Sequence, residues 1–198
     1  IKIKDEWADA KGEKFDYKGS IIYSFSLVLL MFGISKLPEL YAVVMVGGGI
    51  AGIFMFIRLQ LKLDKPVLDI SLFKTNKVFA YSNLAAFINY SATFCVGFLI
   101  SLYLQKVRGI SSRDAGLILT AQPLLMVIVS PIAGRFSDKI EPGIIASIGM
   151  CFTVIGLVLL AFISITTPLY YIIIGQVFLG IGLGLFSSPN TNAIMGSV

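Results

Sequence analysis

The chain alternates long apolar segments, which contain no Asp, Glu, Lys or Arg, with short charged stretches. A charge at the centre of a bilayer costs about 2.5–3.5 kcal/mol on insertion scales, so a lipid environment imposes this segregation. A helix needs roughly 20 apolar residues to cross a hydrocarbon core of about 30 Å. The pattern predicts an all-α integral membrane protein with about six transmembrane helices. The apolar segments are 19–35, 40–57, 78–104, 115–133, 144–164 and 169–187.

The composition of the chain limits the functions that it can have. Hydrophobic residues make up 57% of the 198 residues and charged residues 14%, with a mean hydropathy of +0.89. The net charge of +5 does not indicate a nucleic-acid partner, because the Lys and Arg residues flank apolar segments and form no basic face. The chain has no His, and the apolar segments hold no carboxylate from which to build a catalytic centre. We therefore expect no enzyme, no cofactor and no metal site.

The distribution of Lys and Arg predicts the orientation. If residues 1–18 are a cytoplasmic linker, the cytoplasmic loops hold twelve basic residues and the outer loops four. Basic residues favour the cytoplasmic side. We expect a multi-pass protein of the cell membrane, with both ends of this chain in the cytoplasm. The chain starts without Met and stops just after an apolar segment, which we interpret as a piece of a longer protein.

The first two apolar segments are joined by only four residues, so 19–57 is expected to form a tight transmembrane helix hairpin. The second segment contains Gly47, Gly48, Gly49 and Gly52, which predict close helix packing and not a phosphate-binding loop. The following stretch, 58–77, alternates Lys and Asp with apolar residues. It is expected to be a cytoplasmic loop, either an interfacial amphipathic segment or an ordered linker.

Residues 78–198 are predicted to hold the other four transmembrane helices. In the first of these, a small and polar stripe follows the helical period, which favours either interhelical hydrogen bonds or a substrate path. In the next, Pro123 and Pro131 each free a carbonyl and are expected to kink the helix. Gly180 and Gly184 predict a close-packing pair in the last helix. The stripe is Ser82, Ala86, Asn89, Tyr90, Thr93 and Gly97; the predicted path residues are Asn89, Tyr90, Thr93, Gln122 and Gln176.

The loop after the fourth apolar segment resembles a known motif. The residues Gly134-Arg135-Phe136-Ser137-Asp138-Lys139 are similar to the cytoplasmic loop of the major facilitator superfamily, Gly-x-Leu-Ala-Asp-Arg/Lys-x-Gly-Arg/Lys. The glycine, the aspartate and the first basic position match. Glu141-Pro142 stands where that family has a glycine and a second basic residue.

Further segments look like one branch of that superfamily, the fourteen-helix drug:proton antiporters of the EmrB/QacA type. The resemblance implies a partial bundle, with 19–57 as the extra helix pair and 78–198 as the first four helices of the C-terminal half. The remaining parts of the same transporter, the lipid bilayer and a small-molecule substrate are the expected partners. The segments that carry the likeness are Pro66–Phe73, Leu102–Leu117, Gln122-Pro123 and Ser188–Met195.

The resemblance implies secondary active transport, with protons driving the export of small amphipathic or cationic compounds by alternating access. Asp138 would then act as a gate, supported by Gly134, Arg135 and Lys139. No proton-carrying residue lies in the six apolar segments. Two alternatives remain, namely transport of a specific metabolite by a related facilitator, and a membrane scaffold that transports nothing.

Overall fold

The computed structural model describes residues 16–63 and 66–197, and in these ranges all regular structure is helical. The structure separates into two compact units, Ile1–Thr75 and Asn76–Val198. Residues 1–15, most of the predicted linker, lie outside the described residues. The helices are α1 Tyr17–Ser35, α2 Leu40–Gln60, α3 Leu72–Thr75, α4 Lys77–Leu102, α5 Ser112–Leu119, α6 Ala121–Ser137, α7 Pro142–Ala161 and α8 Leu169–Met195.

Six of the described helical spans are long and apolar enough to cross a membrane, which confirms the predicted architecture. Two of them are composite. The span Lys77–Val107 joins α4 to a π-helical segment, Tyr103–Val107, and the span Ser112–Ser137 joins α5 to α6. Most helices extend a few residues beyond their apolar segments. The side chains of Asp16, Asn76 and Ser111 cap α1, α4 and α5.

In the first unit, α1 and α2 form the expected hairpin with a close backbone approach. A Cβ placed on Gly49 would lie 2.8 Å from the Leu30 nitrogen, and one on Gly52 would overlap the Ser26 side chain. In contrast, among the described residues Gly47 has no neighbour within 4 Å of such a Cβ, and Gly48 has one at 3.8 Å. The predicted close packing is therefore confirmed at Gly49 and Gly52, whereas Gly47 and Gly48 make no close contact within the described residues.

The described chain after α2, still within the first unit, is mostly turns. Helix α2 continues to Gln60, and the only helix in the described residues after it is the four-residue α3. Gln60 Oε1 accepts a 3.2 Å hydrogen bond from the Leu68 nitrogen, which ties the stretch back to the end of α2. The described part of 58–77 thus has helix only at its ends, in α2 and α4, and in α3. Its nature, an interfacial amphipathic segment or an ordered linker, stays a prediction.

In the second unit, α8 is the central helix, with half of its transmembrane window buried. Gly182 and Gly149 bring α8 and α7 together, since a Cβ on Gly149 would lie 2.7 Å from the Gly182 oxygen. Gly180 and Gly184 form the predicted close-packing pair, and their partner is α6: a Cβ on Gly184 would lie 2.8 Å from Val129 Cβ. An apolar cluster fills the space between α4, α5, α7 and α8. It consists of Ile100, Leu104, Ala115, Leu160, Ile172 and Leu179.

The helix predicted over 115–133 is interrupted. Helix α5 ends at Leu119 and α6 begins at Ala121, with Thr120 as the break. Pro123 has no N–H, so the Leu119 carbonyl lacks the donor that a continuous α-helix would supply. The Thr120 carbonyl still accepts a 3.0 Å bond from the Leu124 nitrogen. Pro123 thus accounts for the break, whereas Pro131 is accommodated within α6.

Candidate functional site

A cavity of about 550 Å³ in the second unit brings together three of the five predicted path residues: Tyr90, Thr93 and Gln122. It lies beside the α5–α6 break, because Gln122 and Pro123 form part of its wall. None of the remaining lining residues was a predicted path residue, although Gly97 belongs to the predicted stripe. They are Phe94, Gly97, Phe98, Met126 and Leu183. One signal in the sequence could have indicated this wall, namely the four-residue spacing of Tyr90, Phe94 and Phe98.

The wall contributed by α4 is aromatic. Tyr90, Phe94 and Phe98 follow one another at the spacing that places side chains on one helix face, spread over about 12 Å of the axis. The Tyr90 ring also contacts Phe186 edge-on, with ring centroids 6.2 Å apart. A Cβ on Gly97 would have no described neighbour within 4 Å, so this position leaves room in the cavity. The wall is suited to flat apolar ligands.

Polar groups in the cavity are few and uncharged. The Thr93 hydroxyl lies 2.9 Å from the Asn89 carbonyl and 3.1 Å from the Tyr90 carbonyl, and it donates to this backbone pair. The Gln122 amide and the Tyr90 hydroxyl are the other polar side-chain groups in the lining. None of the lining residues is ionisable in the physiological range. Ligand orientation would therefore depend on hydrogen bonds.

The structure places the other two predicted path residues away from this cavity. Asn89 is buried on α4 and Gln176 is fully buried on α8, and neither lines the cavity. Among the described residues, neither side-chain amide has a hydrogen-bond partner. Sequence spacing placed Asn89 in one stripe with Thr93 and Gly97, which line the cavity, whereas Asn89 itself is buried and does not.

The motif residues Gly134 to Lys139 lie at the end of α6. Asp138 is the exposed C-cap residue of this helix. A second cavity, of about 480 Å³, is lined by Asp138 together with Ile132, Arg135, Phe136 and Lys139. Two cationic side chains and one carboxylate therefore share this surface, flanked by apolar side chains.

The last turn of α6 is held by the end of α8. A Cβ on Gly134 would lie 2.9 Å from Ser188 Oγ, so glycine allows the two helices to approach here. Asn192 Nδ2 donates a 2.8 Å hydrogen bond to Ser137 Oγ, which in turn donates to the Gly134 carbonyl at 2.7 Å. Two further asparagines hold α8 and α4 together at the same end of the unit. Asn190 donates to the Ser82 carbonyl at 3.3 Å, and Asn76, which precedes α4, donates to the Ser197 carbonyl.

The opposite end of the unit is organised by Arg108. Its Nη1 donates to the Ile165 carbonyl at 3.0 Å and to the Thr167 carbonyl at 2.5 Å. Tyr103 donates its hydroxyl to the Ser164 carbonyl at 2.6 Å. Gly109 follows with a φ of +64°, a left-handed conformation that glycine adopts without strain. The segment after α4 thus fixes the loop between α7 and α8.

Within the described residues, no group of three or more His, Cys, Asp and Glu side chains is placed to hold a metal ion. The candidate functional features of the second unit are the aromatic cavity beside the helix break and the charged surface at the end of α6.

Comparison with known proteins identifies the family. The family model for the Major Facilitator Superfamily matches residues 83–198. The riboflavin transporter RibZ of Clostridioides difficile is 32% identical over 195 residues, which cover 96% of this chain and 41% of that protein. The multidrug resistance protein Stp of Mycobacterium tuberculosis is 24% identical over 200 residues, 98% of this chain and 37% of Stp.

The lincomycin resistance protein LmrB of Listeria innocua is 31% identical over 148 residues, 74% of this chain and 31% of that protein. The chain thus spans about two-fifths or less of the length of these relatives. The family match covers more than half of the chain, including the cavity and the loop motif. This multi-pass membrane chain belongs to the Major Facilitator Superfamily.

Proposed function

We propose that the chain is part of a secondary active transporter that exports small amphipathic or cationic compounds in exchange for protons. The observation that carries this proposal is the aromatic cavity, in which Tyr90, Thr93 and Gln122 meet beside a broken helix. Broken helices beside midplane cavities are a recurring feature of transporters. Aromatic faces with few fixed polar groups bind varied amphipathic ligands, and they also attract cations.

The fourteen-helix drug:proton antiporter branch is the proposed subfamily. Two relatives are named for multidrug and lincomycin resistance, which agrees with export of foreign compounds. The α1–α2 hairpin would be the extra helix pair of that branch, and it belongs to the first compact unit, Ile1–Thr75. The rest of the transporter would supply the other wall of the cavity and the proton-carrying carboxylates. Both ends of this chain would lie on the cytoplasmic side of the cell membrane.

Asp138 is the proposed gate. It follows the last turn of α6, which Asn192 and Gly134 hold against α8. An exposed carboxylate at this position can meet the positive N-terminus of a helix from the other half of the transporter, a contact worth about 0.3–2 kcal/mol. If this contact forms only when the cytoplasmic side is closed, it favours the outward-open state. Arg135 and Lys139 would anchor the loop at the lipid headgroups.

A specific metabolite is the alternative substrate, and one observation favours it. The relative with 32% identity is named as a riboflavin transporter. The uncharged aromatic wall of the cavity would also suit a flat neutral ring system that accepts hydrogen bonds from Gln122. A scaffold without transport activity is the remaining alternative.

Transport by the purified full-length protein in proteoliposomes tests these proposals. With an imposed pH gradient, we expect flux of a cationic dye such as ethidium that a protonophore abolishes. Riboflavin flux without dye flux would favour the metabolite alternative. Gln122→Ala should change the ratio of dye to riboflavin transport without changing expression. The absence of gradient-driven flux for a panel of dyes and metabolites would support the scaffold.

A further inference from the structure

Two buried glutamines of this chain have opposite hydrogen-bond environments. Gln60 is 2% exposed and Gln176 is 0% exposed. Gln60 uses both amide atoms, donating to Asp16 and accepting from Leu68. Neither amide atom of Gln176 has a partner among the described residues. A buried amide without partners is unfavourable, so its presence on the central helix calls for a physical reason.

The glycine contacts of α8 show what Gln176 faces. Gly180 packs against Gln122 and Leu125, and Gly184 packs against Met126 and Val129, so α8 and α6 run parallel in register. Gln176 lies one turn before Gly180 on the same helix face. The same register places Gln176 level with the start of α6, where the helix is broken at Thr120.

The apolar packing agrees with this placement. Ile172 and Leu179, which flank Gln176 on its helix face, belong to the apolar cluster that includes Ala115 of α5. Leu119, the last residue of α5, packs against that cluster. Gln176 is therefore an amide directed at the part of the chain where the backbone of α5 and α6 is interrupted.

The break leaves a backbone acceptor free: because Pro123 has no N–H, the Leu119 carbonyl has no regular helical donor. The register of α8 on α6 puts Leu119 near the level of Gln176. We propose that Gln176 is a positioning residue for the cavity: in a second conformation of the transporter, its Nε2 donates to the backbone carbonyl of Leu119. Gln122 and Pro123 follow the break and line the cavity, so this bond would move that wall together with α8.

The proposal rests on the proposed function, since it requires a transporter with two conformations. In the conformation described here, neither amide atom of Gln176 has a partner among the described residues. In the second conformation its Nε2 has one. The net value of one hydrogen bond corresponds to a change of about three- to tenfold in an equilibrium constant. Gln176 would therefore shift the population towards the second conformation by that factor.

The first test compares the two glutamines in the full-length protein. Gln176→Met has nearly the same shape but no hydrogen-bonding amide, so it should raise the melting temperature while lowering the maximal transport rate about three- to tenfold. The substrate KM should change less than twofold. Gln60→Met is the matched control and should lower the melting temperature, because its amide is already bonded. A lower melting temperature for Gln176→Met would overturn the proposal, since it would mean that the amide is already satisfied, for example by ordered water.

The second test is a double-mutant cycle with Pro123→Ala. This change restores an N–H at position 123, which can then bond the Leu119 carbonyl within the helix. In the Pro123→Ala background, Gln176→Met should alter the transport rate by less than twofold. If the fold-changes in transport rate caused by Gln176→Met and Pro123→Ala simply multiply in the double mutant, the two residues act independently. The proposed bond would then be rejected.

The third test does not depend on transport. Gly97→Cys, in a background with Cys95→Ser and Cys151→Ser, places a thiol in the open part of the cavity. Its rate of labelling by a water-soluble maleimide from each side of the membrane should differ about three- to tenfold with and without Gln176→Met. Equal labelling rates would refute the role of Gln176 even if transport is confirmed. A protein without flux but with this labelling difference would instead refute the proposed transport and retain the conformational coupling.

Discussion

Gln60 Nε2 donates a 2.7 Å hydrogen bond to Oδ2 of Asp16, and this contact closes the α1–α2 hairpin at its open end. The second carboxylate oxygen of Asp16 accepts a 2.8 Å bond from the Gly19 nitrogen and so caps α1. One pair of side chains therefore fixes the start of the first helix, the end of the second and, through Leu68, the chain that follows.

Loss of this contact should weaken the first unit. Gln60→Met leaves the Asp16 carboxylate and the Leu68 nitrogen without their partner, and we expect a loss of about 1–3 kcal/mol in unfolding free energy. Limited proteolysis should detect faster cleavage in the turn around Val67–Asp69, and thermal unfolding should show a lower midpoint. Gln105→Met is the control, since that half-buried amide can exchange its partners for water. Equal cleavage rates for the two variants would contradict the structural role of Gln60.

The α7–α8 contact should be sensitive to a single methyl group. In Gly149→Ala, the new Cβ would lie 2.7 Å from both the Gly182 oxygen and the Phe186 nitrogen, and neither backbone group can turn away. We expect a destabilisation of about 1–3 kcal/mol, the usual range for overpacking. Gly47→Ala, on an open helix face, should be neutral or stabilise by up to about 1 kcal/mol through its helix propensity. The measurement is the thermal unfolding midpoint of each variant and of the wild type in the same detergent. An unchanged midpoint for Gly149→Ala would mean that α7 and α8 are further apart than described.

Accessibility should separate the cavity residues from the buried amides. Cysteines at Thr93, Gly97 and Gln122 are expected to react with small water-soluble thiol reagents in at least one transport state. Cysteines at Asn89 and Gln176 should react at least about tenfold more slowly, because both side chains are buried. The labelling requires a background without Cys95 and Cys151, which are both exposed. Fast labelling at Asn89 with slow labelling at Gln122 would place the path elsewhere.

The proposed gate predicts a kinetic phenotype. Asp138→Asn removes the charge that would contact a helix N-terminus of the other half, so the transport rate should fall several-fold or more while substrate binding stays nearly unchanged. Glu141→Gln is the control, because it removes an exposed carboxylate from the same loop, three residues away. Substrate affinity and initial rates of flux in the full-length protein are the measurements. Equal rates for Asp138→Asn and the wild type would make Asp138 an ordinary surface charge.

The sequence was sufficient to predict the six spans, because the exclusion of charge from a bilayer acts on every residue of a span. It also indicated the break near Pro123, since the missing N–H is a covalent property of proline. Gly180 and Gly184 were correctly expected to allow a close helix approach. These features depend on local chemistry, which a single sequence records.

Which face of each helix meets a neighbour was harder to predict. Helix α2 is apolar on all sides, so nothing in its pattern distinguishes Gly48, which faces outwards, from Gly49, which packs on α1. Gln176 was grouped with Gln122 because both are polar and lie within a membrane span. Only the packing of α6 against α8 separates a cavity residue from a buried one, and that packing depends on distant parts of the chain.

The two hydrogen bonds of Arg108 to the Ile165 and Thr167 carbonyls, here called the Arg108 clamp, have a consequence for biosynthesis. Its two carbonyl partners lie 57 and 59 residues further along the chain, in the loop between α7 and α8. During synthesis the guanidinium of Arg108 emerges well before these carbonyls exist, so water or lipid headgroups must solvate it until α7 has been threaded through the membrane. Closure of the clamp is therefore a late event in assembly, and it marks the moment when this end of the unit is complete.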